Sequence, residues 1–357
     1  MAYTTINKST DHFNTVTYAG NGASPRSITG VGFQPDLLWL KNYSGGTNYE
    51  WRQMDIVRGS NKVMHTSGSG NENTEEYYTV SSFDSDGWTG RNGTGSNQAI
   101  TGGNDNGMNF AGYCWKAGGT ASANSDGTVA TSVSANTTAG ISVFTYTGTG
   151  YGGVTVGHGL GVKPKLLVIK NRTDSGENWQ TWNDNTGDGT SNRRLLLNGI
   201  ASDYNNNHIT FGTSTITLPS SNDNGWTKSG SNYLGYAFAE KTGFSAIKEY
   251  TGNGNADGTF IYLGFKPAWA MIKQATNDDN SWYVFDNKQN TYNPTNPYLR
   301  ANTNGVAGSY TWLDFLSNGI KIRNTSDGAN KSGQAYLIVA FAKAPLVGTN
   351  NIPATGR

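Results

Sequence analysis

The histidine and cysteine side chains have the most versatile chemistry in this chain, but their spacing matches no common catalytic or metal site. The single cysteine, Cys114, lies in an alternating strand pattern and cannot form an internal disulfide. The serine-hydrolase motif GxSxG and the zinc motif HExxH do not occur in the sequence. The histidines are scattered along the chain, at His12, His65, His158 and His208. We therefore expect no catalytic residue, no metal ion and no cofactor.

Two motifs rich in glycine or aspartate resemble ligand-binding loops but have simpler explanations. Gly148, Gly150 and Gly153 match the dinucleotide motif GxGxxG, yet a turn and a strand follow where the motif requires a helix. Residues 84–87, Asp-Ser-Asp-Gly, resemble the start of a calcium loop without its later ligands, including the bidentate glutamate. We interpret both motifs as turns.

Acidic residues occur at corresponding positions of a repeated pattern, so we consider whether they could cleave a glycan. A glycosidase needs two carboxylates at a set separation across a cleft, and no such pair recurs with a defensible spacing. Asp55, Asn183 and Asp286 occupy corresponding places after a repeated tryptophan, but one of the three is an amide. A side-chain hydrogen bond at the end of a strand fits that variation better than catalysis.

The composition predicts that such residues are positioned by short strands and tight turns. The chain contains 48 glycines, 19 tyrosines, 13 phenylalanines and 10 tryptophans, while only 14% of its residues are charged. Gly and Asn tolerate the backbone conformations of tight turns, and aromatic and β-branched residues suit a half-buried sheet. No segment shows a convincing helix period.

A sequence pattern that occurs three times predicts the strands of three modules. Each copy begins with an alternating segment that enters a glycine turn, at residues 13–22, 141–150 and 245–254. In the apolar strand that follows, a proline lies six residues before a lysine, and a tryptophan begins the next strand nine or ten residues after that lysine. The prolines are Pro35, Pro164 and Pro267, the lysines are Lys41, Lys170 and Lys273, and the tryptophans are Trp51, Trp179 and Trp282.

The end of each copy predicts a hairpin and a closing strand. Polar turns introduce a further strand in the segments that end at Trp88, Trp226 and Ile320, because Asx-Gly between apolar residues is typical of hairpins. Short strands separated by such turns favour antiparallel sandwiches or jelly rolls over a parallel sheet. The predicted fold is therefore all-β, with three tandem antiparallel β-sandwich modules.

The positions of the repeats also predict the domain boundaries. Three sandwiches in a row would make an elongated molecule. The stretch between the first two modules is dominated by small and polar residues, which is typical of a linker, and it contains a candidate short strand around residues 129–133. The predicted segments are an N-terminal docking arm (1–12), repeat 1 (13–117), a linker (118–139), repeat 2 (140–242), repeat 3 (243–345) and a C-terminal tail (346–357).

Aromatic residues are the candidates for ligand contacts. Trp51, Trp179 and Trp282 could stack on sugars, but they recur at one register within an apolar alternation, which favours a core position. Tyrosines near turns and without a repeat partner are better candidates, and residues 290–297 resemble an exposed recognition loop. The predicted ligand-binding residues are Tyr151, Tyr204, Tyr292 and Tyr298.

Net charge and hydropathy restrict the classes of partner that we expect. The formal net charge is +1 and no run of Lys or Arg occurs, so we expect no binding to nucleic acid. No apolar stretch approaches the roughly 20 residues that span a bilayer, and the first residues lack the pattern of a signal peptide. We expect a protein that is made in a cytoplasm and does not insert into a membrane.

Several motifs resemble those of tail-fibre and virion structural proteins from marine phages that infect cyanobacteria and abundant ocean bacteria. The matches cover nearly the whole chain. They include G-F-x-P-D-x-x-W-x-K at residues 32–41, D-x-V-R-G at 55–59, S-F-D-S-D-G at 82–87, W-K-A-G-G at 115–119 and the closing N-I-P-A-T-G-R. The resemblance implies concanavalin-like or jelly-roll modules and a place on the virion. Repeats 2 and 3 lack an obvious counterpart of Arg58-Gly59.

The predicted function is that of a non-catalytic virion protein. We expect a tail-fibre or surface-appendage subunit that contacts other virion proteins or the host surface, where a cell-surface glycan is a candidate ligand. Because phage fibres are commonly three-fold, we also expect a homotrimer. Two alternatives remain open at this point, namely a capsid decoration protein, and a carbohydrate-binding or glycan-degrading protein of the tailspike type.

Overall fold

The computed structural model of the chain describes residues 3–74, 78–91, 102–184, 194–203, 207–276 and 280–347. Within these residues the regular structure consists of short strands and one 3-10 helix, Ser9–Asp11. The strands pair in antiparallel sheets. The prediction of an all-β fold made of antiparallel sheets is therefore confirmed.

The strands follow the repeats along the chain. Repeat 1 contains β1 (Phe13–Ala19), β2 (Arg26–Ile28), β3 (Leu37–Ser44), β4 (Arg52–Asp55), β5 (Lys62–Val63), β6 (Asn73–Thr74), β7 (Thr79–Asp84), β8 (Gly87–Arg91) and β9 (Asn109–Trp115). Before repeat 2 lie β10 (Ser122–Asn124) and β11 (Thr131–Asn136). Repeat 2 contains β12 (Ile141–Thr147), β13 (Thr155–Gly157), β14 (Leu166–Asn171), β15 (Gln180–Asn183), β16 (Arg194–Leu196), β17 (Ser202–Asp203), β18 (Thr210–Phe211), β19 (Thr215–Thr217) and β20 (Asn232–Phe238). Repeat 3 contains β21 (Ser245–Thr251), β22 (Phe260–Tyr262), β23 (Phe265–Gln274), β24 (Tyr283–Asp286), β25 (Thr295–Arg300), β26 (Gly308–Phe315), β27 (Gly319–Ile322) and β28 (Ala335–Pro345).

Four strands have the same order in every repeat, and we call them the inner sheet. The order is β1-β9-β3-β4 in repeat 1, β12-β20-β14-β15 in repeat 2 and β21-β28-β23-β24 in repeat 3. The closing strand lies in the middle, where small residues leave room for large rings. A side chain at Gly112 would collide with Trp88, and one at Gly235 would collide with Phe144.

Three further strands in each repeat form an outer layer. Their order is β2-β8-β7, β13-β19-β18 and β22-β27-β26, and in repeat 3 they continue from the inner sheet through β25. Apolar side chains of the two layers meet in a core of each repeat's own, for example Trp88 in repeat 1, Ile216 in repeat 2 and Ile320 in repeat 3. Each repeat is therefore a two-layered sandwich, as such residue patterns favour.

One predicted hairpin is wrong. The segment that ends at Trp226 lies in a turn and introduces no strand among the described residues. The hairpin of repeat 2 is instead β18–β19, which pairs with β13 as β7–β8 pairs with β2. The sequence Asp-Asn-Gly was matched to the other hairpins by its residue types, but Asx-Gly also suits turns that lead into no strand.

The inner sheets are buried on both faces. All six residues of β14 are buried, and they alternate between two cores. Leu166 and Val168 belong to a cluster that all three repeats share, while Leu167 and Ile169 belong to the core of repeat 2. The corresponding strands β3 and β23 alternate in the same way. A second layer therefore covers the face of each inner sheet that lies opposite its own outer layer.

That second layer is formed by the other two repeats. A single cluster of buried residues, which we call the shared core, contains aromatic side chains from all three repeats. These are Phe13, Trp39, Trp51, Tyr113, Trp115, Trp179, Tyr236, Phe238, Phe244, Trp269, Trp282 and Phe341. The repeats thus pack around a common centre, which differs from the predicted row. Truncating one such ring to alanine typically costs about 3–5 kcal/mol, so the shared core is a major source of stability.

The predicted linker at residues 118–139 contains two strands of a large sheet. β11 pairs with β12 along its whole length, and β10 pairs with β11, which extends the inner sheet of repeat 2. Val133 is buried in the core of repeat 2. The stretch has a linker-like composition because an edge hairpin with one exposed face needs few apolar residues.

The predicted docking arm packs against the chain itself. Ile6 is only 2% exposed and belongs to the shared core. The Tyr3 hydroxyl donates a hydrogen bond of 2.8 Å to the Gly264 carbonyl oxygen, which also accepts one of 3.3 Å from the Leu346 amide. The two described ends of the chain therefore meet at repeat 3. Residues 1–2, and residues 348–357 of the predicted tail, lie outside the described residues.

Candidate ligand-binding surface and the seams between repeats

The repeated tryptophans hold the repeats together in a cycle. All three are fully buried, and each indole Nε1 donates a hydrogen bond of 2.8 Å to a main-chain oxygen of another repeat. Trp51 of repeat 1 contacts Arg300 of repeat 3, Trp179 of repeat 2 contacts His65 of repeat 1, and Trp282 of repeat 3 contacts Leu196 of repeat 2. We call these three contacts the 1–3, 2–1 and 3–2 seams. Because the third seam closes the cycle, the repeats form a ring with pseudo-three-fold symmetry.

The repeated lysines lie at the same seams. Each is fully buried, and each Nζ donates one hydrogen bond to the carbonyl oxygen of the following residue and one across the seam. The acceptors across the seams are main-chain oxygens, namely Asn304 for Lys41 at 3.0 Å, Ser69 for Lys170 at 3.3 Å and Ile200 for Lys273 at 2.8 Å. Burial lowers the pKa of Lys41 to about 7 and that of Lys170 to about 8.

The repeated prolines are buried immediately before or within the strands that carry these lysines. Pro35 precedes β3 and Pro164 precedes β14, whereas Pro267 lies within β23. The pairing of β23 with β28 shifts register at Pro267. Because proline cannot donate to a ladder, an irregular strand beginning is where such a residue is tolerated.

Hydrogen bonds across the seams explain why the position after each repeated tryptophan is Asp in two repeats and Asn in the third. The Tyr113 hydroxyl donates to the Asp286 carboxylate at 2.8 Å across the 1–3 seam, and the Tyr236 hydroxyl donates to Asp55 at 3.2 Å across the 2–1 seam. At the 3–2 seam, a valine of repeat 3 occupies the position of the tyrosine in the closing strand. In repeat 2 the position of the carboxylate is occupied by the amide Asn183. The carboxylate is thus present where a hydroxyl faces it, which fits a structural hydrogen bond.

An ion network reinforces the 2–1 seam. Asp55 and Arg58 form a fully buried pair at 2.6 Å, and Glu72 contacts both Arg58 at 3.3 Å and Arg172 of repeat 2 at 2.9 Å. Burial opposes ionisation of Glu72, but the hydrogen bonds from Arg172 and the charge of Arg58 outweigh it and lower the pKa of Glu72. Arg58, which has no obvious counterpart in repeats 2 and 3, therefore has a structural role at this seam.

His158 and Asp86 make hydrogen bonds within the fold, and Cys114 is buried in it. His158 is fully buried, and its Nδ1 accepts a hydrogen bond of 3.2 Å from the Leu160 amide. Cys114 is buried, which raises the pKa of its thiol. The Asp86 carboxylate accepts hydrogen bonds from the amides of Gly30 and Gly32, and these bonds lower its pKa. No cluster of three or more potential metal ligands occurs in the described part of the chain.

The predicted ligand-binding tyrosines lie in different parts of the molecule. Tyr151 is 72% exposed on repeat 2, and Tyr292 is 76% exposed in the loop before β25. Tyr298 is half-buried on β25 itself. Tyr204 lies outside the described residues. The structure brings Tyr298, but neither Tyr151 nor Tyr292, into a described cluster of aromatic rings.

We call that cluster and its neighbouring arginine the tyrosine–arginine surface. Trp312 is buried at its base, and the rings of Tyr283, Tyr298 and Tyr310 lie around it at centroid distances of 4.4, 5.2 and 5.8 Å. Arg300 lies opposite Tyr283 in the β24–β25 pair, and its guanidinium carbon is 5.9 Å from that ring and 5.5 Å from the Tyr298 ring. Such cation–π contacts orient an arginine that is otherwise exposed.

The sequence contains a signal for Arg300, Tyr310 and Trp312, which were not among the predicted ligand-binding residues. Tyr298 and Arg300 are two residues apart on β25, and Tyr310 and Trp312 are two residues apart on β26. Residues two apart on a strand share a face, so each strand brings a pair of such side chains to one side of the sheet. Only the pairing of β25 with β26 places the two pairs together, and that pairing cannot be derived from spacing alone.

Comparison with known proteins identifies the family but no activity. The chain belongs to the family described as "Domain of unknown function (DUF7483)", whose family model matches residues 8–345 and so extends over all three repeats. No curated protein matches the chain. Within the described residues, the structure contains no helix with the length and apolar character needed to cross a bilayer.

Proposed function

We propose that this protein is a non-catalytic structural component of a phage particle, a tail-fibre or surface-appendage subunit that binds the host surface or neighbouring virion proteins. The observation that carries the proposal is the closed ring of three repeats with equivalent seams. A ring of this kind presents three related faces about one axis. Such a unit suits a position on the three-fold axis of a fibre or spike, where each related face meets an equivalent partner.

The motifs that resemble phage virion proteins support the same proposal, because several of them form the ring. Trp39 in the motif at residues 32–41 lies in the shared core, and Lys41 at its end crosses the 1–3 seam. Asp55 and Arg58 in the motif at residues 55–59 form the buried pair at the 2–1 seam. The resemblance therefore falls on residues that build the ring, so related virion proteins would share this architecture.

The homotrimer predicted from the sequence stays a prediction. The ring supplies three-fold contacts within a single chain, since Trp51, Trp179 and Trp282 all bond to other repeats of the same chain. A homotrimer would need further contacts outside these seams. The mass of the purified protein in solution distinguishes one chain from three.

Electron microscopy of virions labelled with gold-conjugated antibodies against this protein tests the proposed function. Virions of the phage that encodes the chain are the sample, and the same virions treated with pre-immune antibody are the control. We expect label at tail or spike tips. Label spread across the capsid shell would contradict the fibre position and favour a decoration protein, and virions without label would contradict the proposal as a whole.

An assay for released reducing sugar tests the non-catalytic part of the proposal separately. Purified protein is incubated with host surface polysaccharide, and a known glycosidase serves as the positive control. We expect no release above that of the polysaccharide alone. Sustained release that scales with protein concentration would contradict the non-catalytic proposal and favour a tailspike-type enzyme.

A further inference from the structure

We propose that the tyrosine–arginine surface of repeat 3 binds an anionic sugar, one that carries a carboxylate or a sulfate. This inference rests on the proposed function, because it names the ligand class through which the appendage would contact a host surface. Its residues are Tyr298, Arg300 and Tyr310, with the buried Trp312 beneath them.

The ring does not require these residue types. The carbonyl oxygens of Arg300, Leu196 and His65 accept equivalent hydrogen bonds from the seam tryptophans, so these three residues correspond to one another in the three repeats. The residues immediately before them, Leu299, Leu195 and Met64, therefore correspond as well. Leu299, Leu195 and Met64 all belong to the shared core. The flanking positions differ, because Tyr298 corresponds to Arg194 and Val63. The strand face toward the centre is alike in the three repeats, whereas the combination of a tyrosine and an arginine on the opposite face occurs in repeat 3.

The rings are held in place before any ligand arrives. Tyr298 packs on Trp312 and lies 5.6 Å from Tyr283, and a side chain at Gly308 would approach the Tyr298 ring to 2.5 Å. Glycine at position 308 therefore leaves the space in which the Tyr298 ring lies across β26. Tyr310 is 49% exposed beside them. Tyrosines fixed in this way offer contact area at a low cost in conformational entropy.

Arg300 provides the charge that selects an anion. Its guanidinium contacts the two tyrosine rings and donates a hydrogen bond of 3.3 Å to the Tyr298 hydroxyl. No ion pair of Arg300 occurs among the residues that the structure describes. A guanidinium presents five donors in a planar fork that matches a carboxylate or sulfate, so most of its donors are available for such a group.

The size of the adjoining recess limits what can enter it. The recess is small and open, with a volume of about 70 Å³, so we expect a charged substituent such as a carboxylate or sulfate to enter it rather than a whole sugar ring. A bound sugar ring would therefore lie on the exposed Tyr310 and the half-buried Tyr298, with its charged substituent toward Arg300. The residues that line the recess are Tyr298, Arg300, Thr303, Gly305, Val306 and Gly308, none of which is acidic.

Binding of defined oligosaccharides by the full-length protein tests the proposal. The probes are trigalacturonic acid, a sulfated galactan tetrasaccharide and neutral maltotriose, each titrated to about 10 mM and followed by calorimetry or by NMR of the sugar. We expect at least one anionic probe to bind and maltotriose to bind at least tenfold more weakly. Sodium acetate and sodium sulfate are titrated as well, because equal binding of the free anion would show that the sugar contributes nothing and would overturn the proposal.

Variants locate the site. We expect Arg300→Gln and Tyr310→Ala each to weaken binding of the anionic probe at least tenfold, whereas Phe260→Ala, which removes an exposed ring on β22 of the same repeat, leaves it unchanged. Both altered side chains are exposed, and melting curves check that the variants remain folded. Unchanged affinity in Arg300→Gln, or no binding of either anionic probe by the wild-type protein, would overturn the inference. Antibody label on virions together with such a failure would leave the proposed function intact.

Discussion

The buried lysines are the residues whose protonation most directly affects the ring. Burial, and secondarily the charge of Arg52, lowers the pKa of Lys41 from 10.5 to about 7, and burial lowers that of Lys170 to about 8. The unfolded chain keeps both lysines protonated up to their ordinary pKa. The unfolded state thus binds more protons than the folded state from about pH 7 upward, so the free energy of unfolding rises with pH across this window.

The double variant Lys41→Met/Lys170→Met tests this pH dependence. We expect the melting temperature of the wild-type protein to rise by a few degrees between about pH 6 and pH 9, and the double variant to lose most of that rise. Its absolute stability also falls, because the oxygens of Asn304 and Ser69 lose a donor. The exposed Lys343→Met is the matched control and should keep the wild-type slope. An unaltered rise in the double variant would contradict the assignment.

The hydroxyl of Tyr113 provides a test of a single seam contact. Tyr113→Phe removes the donor to the buried Asp286 carboxylate across the 1–3 seam, which we expect to lower the free energy of unfolding by about 1–3 kcal/mol. Urea unfolding of the variant and of Tyr151→Phe, whose ring is exposed, gives the comparison. If the two variants were equally stable, the seam hydrogen bond would contribute nothing.

At the scale of elements, the strands that carry the repeated motifs were predictable, and the irregular segments were not. Alternation and glycine turns located β1, β12 and β21 because local sequence decides those features. The segment ending at Trp226 was assigned to a hairpin from its residue types, but the partner strand decides whether a turn joins two strands. Residues 118–139 were assigned to a linker from composition, with a candidate short strand around residues 129–133. That strand is present as β11, and its pairing with β10 and β12 makes this part of the segment belong to a sheet.

Hydrogen exchange distinguishes a linker from a paired strand in that segment. Every residue of β11 is paired with β12, and its first three residues are also paired with β10. We expect the amides of β11 to exchange at least about a hundredfold more slowly than those of an unstructured peptide of the same sequence. The exposed loop residues Ser125 and Asp126 of the same chain serve as the internal reference. Exchange of β11 at the reference rate would contradict the paired strand.

At the scale of the whole molecule, the ring was missed although the sequence contained a sign of it. Segments such as Leu166–Asn171 are continuously apolar before the lysine, and in an antiparallel sheet such a segment indicates that both faces are covered. An isolated sandwich covers only one face of each sheet. The identity of the second cover depends on contacts between residues more than 100 positions apart, such as Trp179 with His65, which local patterns do not determine.

The sequence predicted only one residue of the tyrosine–arginine surface, because strand pairing decides the others. Tyr298 was a candidate because it lies near a turn and has no repeat partner, whereas Tyr310 and Arg300 join it only through the β25–β26 and β24–β25 pairings. Tyr151 and Tyr292 were correctly predicted to lie on the surface, but no aromatic cluster surrounds either of them among the described residues. Spacing thus identifies which residues share a face, and tertiary pairing decides which faces meet.

Small-angle X-ray scattering of the monomeric species, isolated by size-exclusion chromatography, tests the closed ring most directly. A compact chain of this length is expected to have a radius of gyration of about 21 Å, and three touching modules in a triangle give a value close to about 23 Å. Three modules of about 13 Å each, arranged in a row, would give about 30 Å. A measured value of about 21–23 Å would support the ring, and a value near 30 Å would contradict it.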